Sequence, residues 1–233
     1  MKILCIADIH GDMDAVERIK EFSRKNNIKD IIILGDFQGY GNIGKTNDAE
    51  KILNSLEEFN LFVIPGNCDS KNLINLLNEK GVNLHENVLC IQNTDVKIIG
   101  FGGSVPTEYN TPLEFSEEEI YKSLSSLLLE HNLNHEKNFI LATHCPPKNT
   151  KCDINFRGEH NGSSAISKII EEFQPSLVLS SHIHESAGNE DKLGRTKIVN
   201  IGRLSEGNLG IIEINQPSDI NFTKLNKVFK PLK

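Results

Sequence analysis

The sequence predicts a mixed α/β layered fold in which helices cover both faces of a sheet system. Three observations carry this reading. Short apolar runs alternate with longer amphipathic segments. The first third runs strand–helix–strand–helix–strand, the order of parallel βαβ units. Two later stretches, 88–101 and 196–214, hold closely spaced strands that read as hairpins. No internal repeat, low-complexity tract or Pro/Gly/Ser linker divides the 233 residues, so the chain reads as one domain over 1–233.

The elements come in this order. A strand over 2–7 (KILCIA) opens the chain and contains its longest unbroken apolar run, Ile3–Ala7. A helix over 12–26 leads to a strand over 30–34 (DIIIL), a helix over 46–59, a strand over 61–65 (LFVIP) and a helix over 70–79. Strands over 88–91 (VLCI) and 96–101 (VKIIGF) precede a helix over 116–131. Ser116 followed by Glu119 forms a capping box there, because hydroxyl and carboxylate satisfy each other's backbone donors. A strand over 138–143 (NFILAT) is followed by a helix over 163–173, for which Ser163 is an N-cap. Strands over 176–180 (SLVLS), 196–201 (TKIVNI) and 209–214 (LGIIEI) complete the pattern.

Composition narrows the function. A membrane span needs ~20 apolar residues, far more than the chain's longest run, and that run is also too short for a signal-peptide core. Twenty-five Lys and Arg stand against 32 Asp and Glu, a net charge of −7 that argues against nucleic acid as partner. A small anionic substrate remains compatible where a metal supplies local positive charge. The five cysteines (5, 68, 90, 145, 152) are odd in number and lack CxxC spacing, which predicts free thiols in a reducing, cytoplasmic setting. The oligomeric state stays open.

The informative feature is the set of residues at the end of each strand. After 2–7 comes Asp8-Ile9-His10-Gly11; after 30–34, Gly35-Asp36; after 61–65, Gly66-Asn67-Cys68-Asp69; after 138–143, His144; after 176–180, Ser181-His182-Ile183-His184. Ligands of open α/β sheets bind at the carboxyl ends of strands. The i, i+2 spacing of Asp8 with His10, and of His182 with His184, would put each pair on one side of an extended segment. Gly35 and Gly66 would let the backbone come close to a ligand. Two carboxylates, an amide oxygen and four imidazoles suit Mn²⁺, Fe or Zn²⁺ rather than Mg²⁺ alone, and seven donors exceed one ion's needs. Two metals sharing a carboxylate is the economical arrangement.

This ordered series resembles the calcineurin-like metallophosphoesterases, whose blocks DxH, GD, GNH[DE], a lone His and GHxH match these five strand ends over residues 3–202. The Gly66-Asn67-Cys68-Asp69 block looks like the compact single-domain phosphodiesterase branch. The resemblance implies a four-layer αββα sandwich, two mixed sheets flanked by helices, with a dinuclear centre. One ion would take Asp8, His10 and His184, the other Asn67, His144 and His182, and Asp36 would bridge them. Manganese is the first expectation for the two divalent ions, with iron, nickel or zinc as alternatives. The implied reaction is attack of a metal-bridging hydroxide on the phosphorus of a small phosphodiester or phosphomonoester. A non-catalytic scaffold on this fold is the alternative, and a nuclease a more distant one.

Two positions depart from the family. Cys68 stands where a leaving-group acid His is common, and Gly39 where the protein-phosphatase branch carries the Asp that orients it. His160 is the remaining candidate acid, so Asp36, Asn67 and His160 are the residues assigned catalytic roles. Ser181 replaces the glycine of GHxH. Arg157 and Arg203 are candidate phosphate clamps by chemistry, Asn200 and Gly202 resemble a supporting turn, and the helix start at Ser163 is either an anion seat or a simple cap.

Overall fold

Alternation along each central strand builds the layers. In the computed structural model, which describes residues 1–134, 138–216, 219–225 and 228, the first strand β1 (Lys2–Ile6) sends Leu4 and Ile6 to one apolar cluster and Ile3 and Cys5 to another. Strand β2 (Asp30–Ile33) divides likewise, with Ile31 and Ile33 on one side and Ile32 on the other. Both faces are buried, so the strands read as continuous apolar runs rather than as half-polar alternations. Strand β3 (Asn60–Val63) completes the parallel trio β1-β2-β3.

Helices α1 (Met13–Lys25), α2 (Asn47–Ser55) and α3 (Asn72–Glu79) cover the outer face of this sheet through Val16, Ile19, Ile52, Leu53, Leu73 and Leu77. Asp12 caps α1 by accepting the Ala15 N–H at 2.9 Å. The second sheet contains β4 (Asn87–Cys90), β5 (Lys97–Phe101), β6 (Phe139–Thr143), β7 (Leu177–Ser180), β8 (Glu190–Leu193) and β9 (Thr196–Asn200). Its order is β4-β5-β6-β7-β9-β8, with β5, β6, β7 and β9 parallel. Helices α4 (Glu117–Glu130) and α5 (Ser164–Phe173) cover its outer face. The two sheets share the cluster of Ile3, Ile32, Ile64, Ile98, Ile140 and Val199 between them. The result is the expected four-layer αββα sandwich. Ser116 and Glu119 form the capping box on α4, and Ser163 caps α5 through the Ile166 N–H.

One expectation fails. Segments 196–201 and 209–214 do not form a hairpin, because they lie in different sheets. β9 pairs with β8, while β10 (Leu209–Gln216) pairs with β1 and with β11 (Asp219–Leu225) to give the first sheet the order β11-β10-β1-β2-β3. The partners β8 (EDKL) and β11 (DINFTKL) are edge strands rich in polar residues and carry no apolar run to announce them. Helix α2 also stops at Ser55 rather than 59, since the chain must turn back to pair Asn60 with Asp30. The hairpin predicted over 88–101 is present as β4-β5. No helix among the described residues is long and apolar enough to cross a membrane.

Candidate metal centre

All five singled-out segments leave the carboxyl ends of parallel strands and meet on one face. Asp8, His10 and His184 bring one ligand atom each within 4.8 Å of one another, and so do Asp8, Asp36 and His144. Asp36 lies between the two sides: its Oδ2 is 3.7 Å from His10 Nε2 and its Oδ1 is 3.6 Å from His144 Nε2. The rings of His144 and His182 lie 5.1 Å apart.

The i, i+2 argument holds for one pair and fails for the other. Asp8 and His10 do share a group, yet through left-handed backbone (φ 48° and 46°) rather than an extended segment. His182, with φ 65°, faces His144, while His184 joins Asp8 and His10 at the other side. Asp36 is left-handed as well, with φ 55°. Such conformations cost non-glycine residues on the order of 1–3 kcal/mol each and gather where the fold over-determines a functional geometry. The glycines act differently from the expectation of close ligand approach. A Cβ on Gly35 would fall 2.1 Å from Gly66 N, and one on Gly66 would fall 2.0 Å from Asp36 Oδ1, so both are needed for two turns to approach each other.

Hydrogen bonds fix the direction of each donor atom. His144 Nδ1 donates to the Leu34 carbonyl at 2.6 Å and His10 Nδ1 to the Gln38 carbonyl at 3.1 Å, so each Nε2 presents a lone pair. His144 Nε2 faces the Asn67 amide oxygen at 2.9 Å. That amide is oriented by its NH₂, which donates to Thr111 Oγ1 at 3.0 Å, and Thr111 is in turn held by Glu114. Lone pairs therefore face lone pairs, an arrangement that a cation resolves. Among the described residues seven buried side-chain atoms lack a hydrogen-bond partner, and Asp8 Oδ1, His10 Nε2 and His184 Nε2 are three of them. Unpaired buried polar atoms are rare, and three in one cluster fit a metal. His184 alone requires an adjustment: its Nδ1 accepts from Arg203 Nη2 at 2.7 Å, which leaves the proton on Nε2. A cation held at Nε2 would leave the imidazole proton on Nδ1, which could then no longer accept from Arg203.

The electrostatics agree with a cation site. Burial pushes the Asp8 carboxyl up, but His184, His144 and His10 outweigh it and hold the group below the usual carboxylate range. Desolvation, then His144, pushes His182 down to about 4, which keeps the imidazole neutral and able to ligate. Burial and Asp36 push the Cys68 thiol up, so it stays protonated, and its backbone N–H donates to Asp36 Oδ1 at 2.9 Å.

Several contributing residues escaped the sequence reading. Asp69 accepts the backbone N–H groups of Asp36, Phe37, Gln38 and Gly66, binding the turns after β2 and β3 together. Ser181 donates its hydroxyl to Asp8 Oδ2, so the residue in place of the family's glycine orients a cluster carboxylate. Tyr40 stacks on His10, ring centroids 4.6 Å apart. The GNCD block contains Asp69 and the departure from GHxH marked Ser181, but neither gave the partner, and Tyr40 gave no signal. Asn200 supports the cluster as its resemblance suggested, by donating to the carbonyls of Cys152, Ser181 and Ile183.

His160 is not brought into the cluster. Its Nδ1 meets Asp153 Oδ1 at 2.7 Å, and among the described residues no hydrogen bond or ion pair joins it to the seven donors. Arg157 lies against the exposed Phe156. The start of α5 is no open anion seat: the Glu117 carboxylate already accepts from Ser163 Oγ and from the N–H groups of Ser164 and Ala165. All five cysteines are free.

A family model described as calcineurin-like phosphoesterase matches residues 1–186. The uncharacterized protein MJ1162 of Methanocaldococcus jannaschii is 37% identical over 205 residues, covering 86% of this chain and 87% of its own. Among solved structures, TT1561 of Thermus thermophilus superposes with a TM-score of 0.72 at 20% identity, covering 97% of this chain and 98% of its own. A dimetal phosphatase from Danio rerio gives 0.66 at 11% identity, covering 98% and 96%. At these identities the two structures speak for the fold.

Proposed function

The chain belongs to the calcineurin-like phosphoesterases, and on that premise we propose that it is a dinuclear-metal-dependent hydrolase of a small phosphodiester or phosphomonoester, acting as a single catalytic domain. The observation that carries the reading is the set of unpaired buried atoms Asp8 Oδ1, His10 Nε2 and His184 Nε2 beside a second group of opposed lone pairs on His144, Asn67 and Asp36. Asp8, His10 and His184 would hold one ion, Asn67, His144 and His182 the other, with Asp36 shared. When bound, the ions supply a low-pKa water and neutralise charge on the phosphoryl oxygens.

The protein's own residues do the rest. Asp36 sets the separation of the two sides, and Asn67 turns its oxygen inward because Thr111 holds its NH₂. Ser181 and the three imidazoles keep Asp8 ionised. His160 is proposed to protonate the leaving oxygen, with Asp153 holding Nδ1 and a half-exposed ring available to substrate. Cys68, kept protonated, is a packing residue. Five free thiols support a cytoplasmic location. A scaffold role is disfavoured because all seven donor positions are filled.

The test is chelator-stripped protein assayed on phosphomonoesters and phosphodiesters with Mn²⁺, Ni²⁺, Fe²⁺, Zn²⁺ and Mg²⁺. Turnover should return with about two ions per chain, manganese foremost. Full activity in the stripped protein, or none with any metal, overturns the proposal.

A further inference from the structure

Exposed apolar side chains gather on the face that carries the cluster. Of the six large ones among the described residues, Tyr40, Ile43, Tyr109 and Phe156 lie on loops leaving the carboxyl ends of β2, β5 and β6, of which β2 and β6 also deliver candidate ligands. These loops are neighbours. The 40–44 loop reaches the Asn67-Cys68 turn through Gly44 N, which donates to the Cys68 carbonyl at 3.2 Å. The Tyr109 loop reaches the same turn through Thr111 and through Leu113 N, which donates to the Asn67 carbonyl at 3.1 Å. The Phe156 loop reaches the His184 turn by two hydrogen bonds between Ile154 and Ser186.

Tyr40 is the member joined directly to the cluster. Its ring stacks on His10 at 20° between planes, its hydroxyl accepts from Arg203 Nη2 at 2.6 Å, and it remains 60% exposed. A large aromatic ring left in water while anchored at both face and hydroxyl is pre-organised, and it loses little freedom when something stacks on it. These loops are hydrogen-bonded to the turns that carry Asn67 and His184, so they neighbour any organic group attached to a phosphoryl group at the cluster.

Resting on the phosphoesterase reading, we propose that Tyr40 is a stacking platform for a planar ring in the organic part of the substrate. The enzyme then acts on phosphoric esters of ring-bearing alcohols, nucleoside or aryl, in preference to purely aliphatic ones. Arg203 is a positioning residue for the platform.

The test uses the full metal-loaded chain and pairs matched in leaving alcohol: a nucleoside 5′-monophosphate against ribose 5-phosphate, and benzyl phosphate against cyclohexylmethyl phosphate, each also as its methyl diester. Ring stacking by one aromatic side chain is worth roughly five- to hundredfold. The parent protein should favour the ring-bearing member by about tenfold in kcat/KM, and Tyr40→Leu should bring the ratio near one. The chain has no tryptophan, so Tyr40→Trp supplies a sole indole whose fluorescence reports stacking without turnover. Hydrolysis-resistant phosphonates of the ring-bearing compounds should quench it and the ringless ones should not. Quenching by the nucleoside alone assigns a base as the ring, and by the benzyl compound alone an aryl group; either supports the proposal. Ratios near one in the parent, with equal quenching across each pair, overturn it. Selective quenching in a protein that hydrolyses no ester leaves the stacking site standing and overturns the phosphoesterase reading instead.

Discussion

Two loop regions of this molecule are built by the same device and carry different cargo. The turns after β2 and β3 close on Asp69, and the turn after β6 closes on Asp153. Each carboxylate is fully buried and meets N–H donors from the loop it organises. Asp69 has Asp36, Phe37, Gln38 and Gly66; Asp153 has Asn149, Thr150, Gly162 and the ring of His160. Asp69 thereby fixes a second carboxylate, Asp36, whereas Asp153 fixes an imidazole. Burial, then the charge of Asp36, pushes Asp69 up to about 7. A carboxylate whose oxygens are saturated with N–H groups organises backbone, and one left with an unpaired oxygen, as Asp8 is at Oδ1, suits a cation.

The largest test of this contrast is on the cargo of the first pair of turns. Asp36→Asn should abolish turnover and lower metal content by more than one ion's binding, since the residue faces both sides; metal analysis with full occupancy and retained activity would break the dinuclear reading. The cargo of the Asp153 turn comes next. A positioned acid typically contributes ~10²–10⁴-fold, chiefly for basic leaving groups. His160→Ala should therefore lower kcat/KM for alkyl esters by about 10²-fold while barely changing activated aryl esters, and an unchanged leaving-group series removes His160 from the mechanism.

The two organising carboxylates should then separate cleanly. Asp69→Asn and Asp153→Asn each leave buried N–H groups unsatisfied, at about 1–3 kcal/mol of stability. Asp69→Asn alone should also weaken metal binding, by roughly 10–100-fold as for other residues that orient ligands. Equal metal affinity in the two variants, measured by titration after chelation, erases the distinction.

The smallest effect is a pH slope. Because Asp69 is raised in the folded state, its stabilising contribution is full below the unfolded value near 4 and is lost as pH rises through about 7. Metal-free protein should lose thermal stability across that window more steeply than metal-free Asp69→Asn. Parallel melting curves for the two proteins from pH 4 to 7 would remove the assignment.

The layers and most of the donor set were legible in the chain because they rest on local regularities. Ile31–Ile33 reads as a buried strand by itself, and Asp36 follows it whatever the rest of the chain does. β8 and β11 were not legible, since edge strands need no apolar run and their partners are chosen by the sheet. Asp153 and Glu117 gave no sequence signal either: a polar residue in a loop becomes an organiser only once donors from elsewhere converge on it.

By itself, then, the sequence determined which apolar strands form, that five of them end in metal-capable residues, and which side chains those are, because periodicity and strand termini are written within a few neighbouring positions. The tertiary structure alone decided that Asp8, His10, Asp36 and His182 adopt left-handed backbone, that His182 and His184 part company, and that Ser181 reaches Asp8. The reason is distance along the chain. Leu34 fixes the tautomer of His144 from 110 positions away, and Ser181 lies 173 positions from the carboxylate it orients. No local pattern encodes such contacts, and only the packing of two sheets against each other brings them within hydrogen-bond reach.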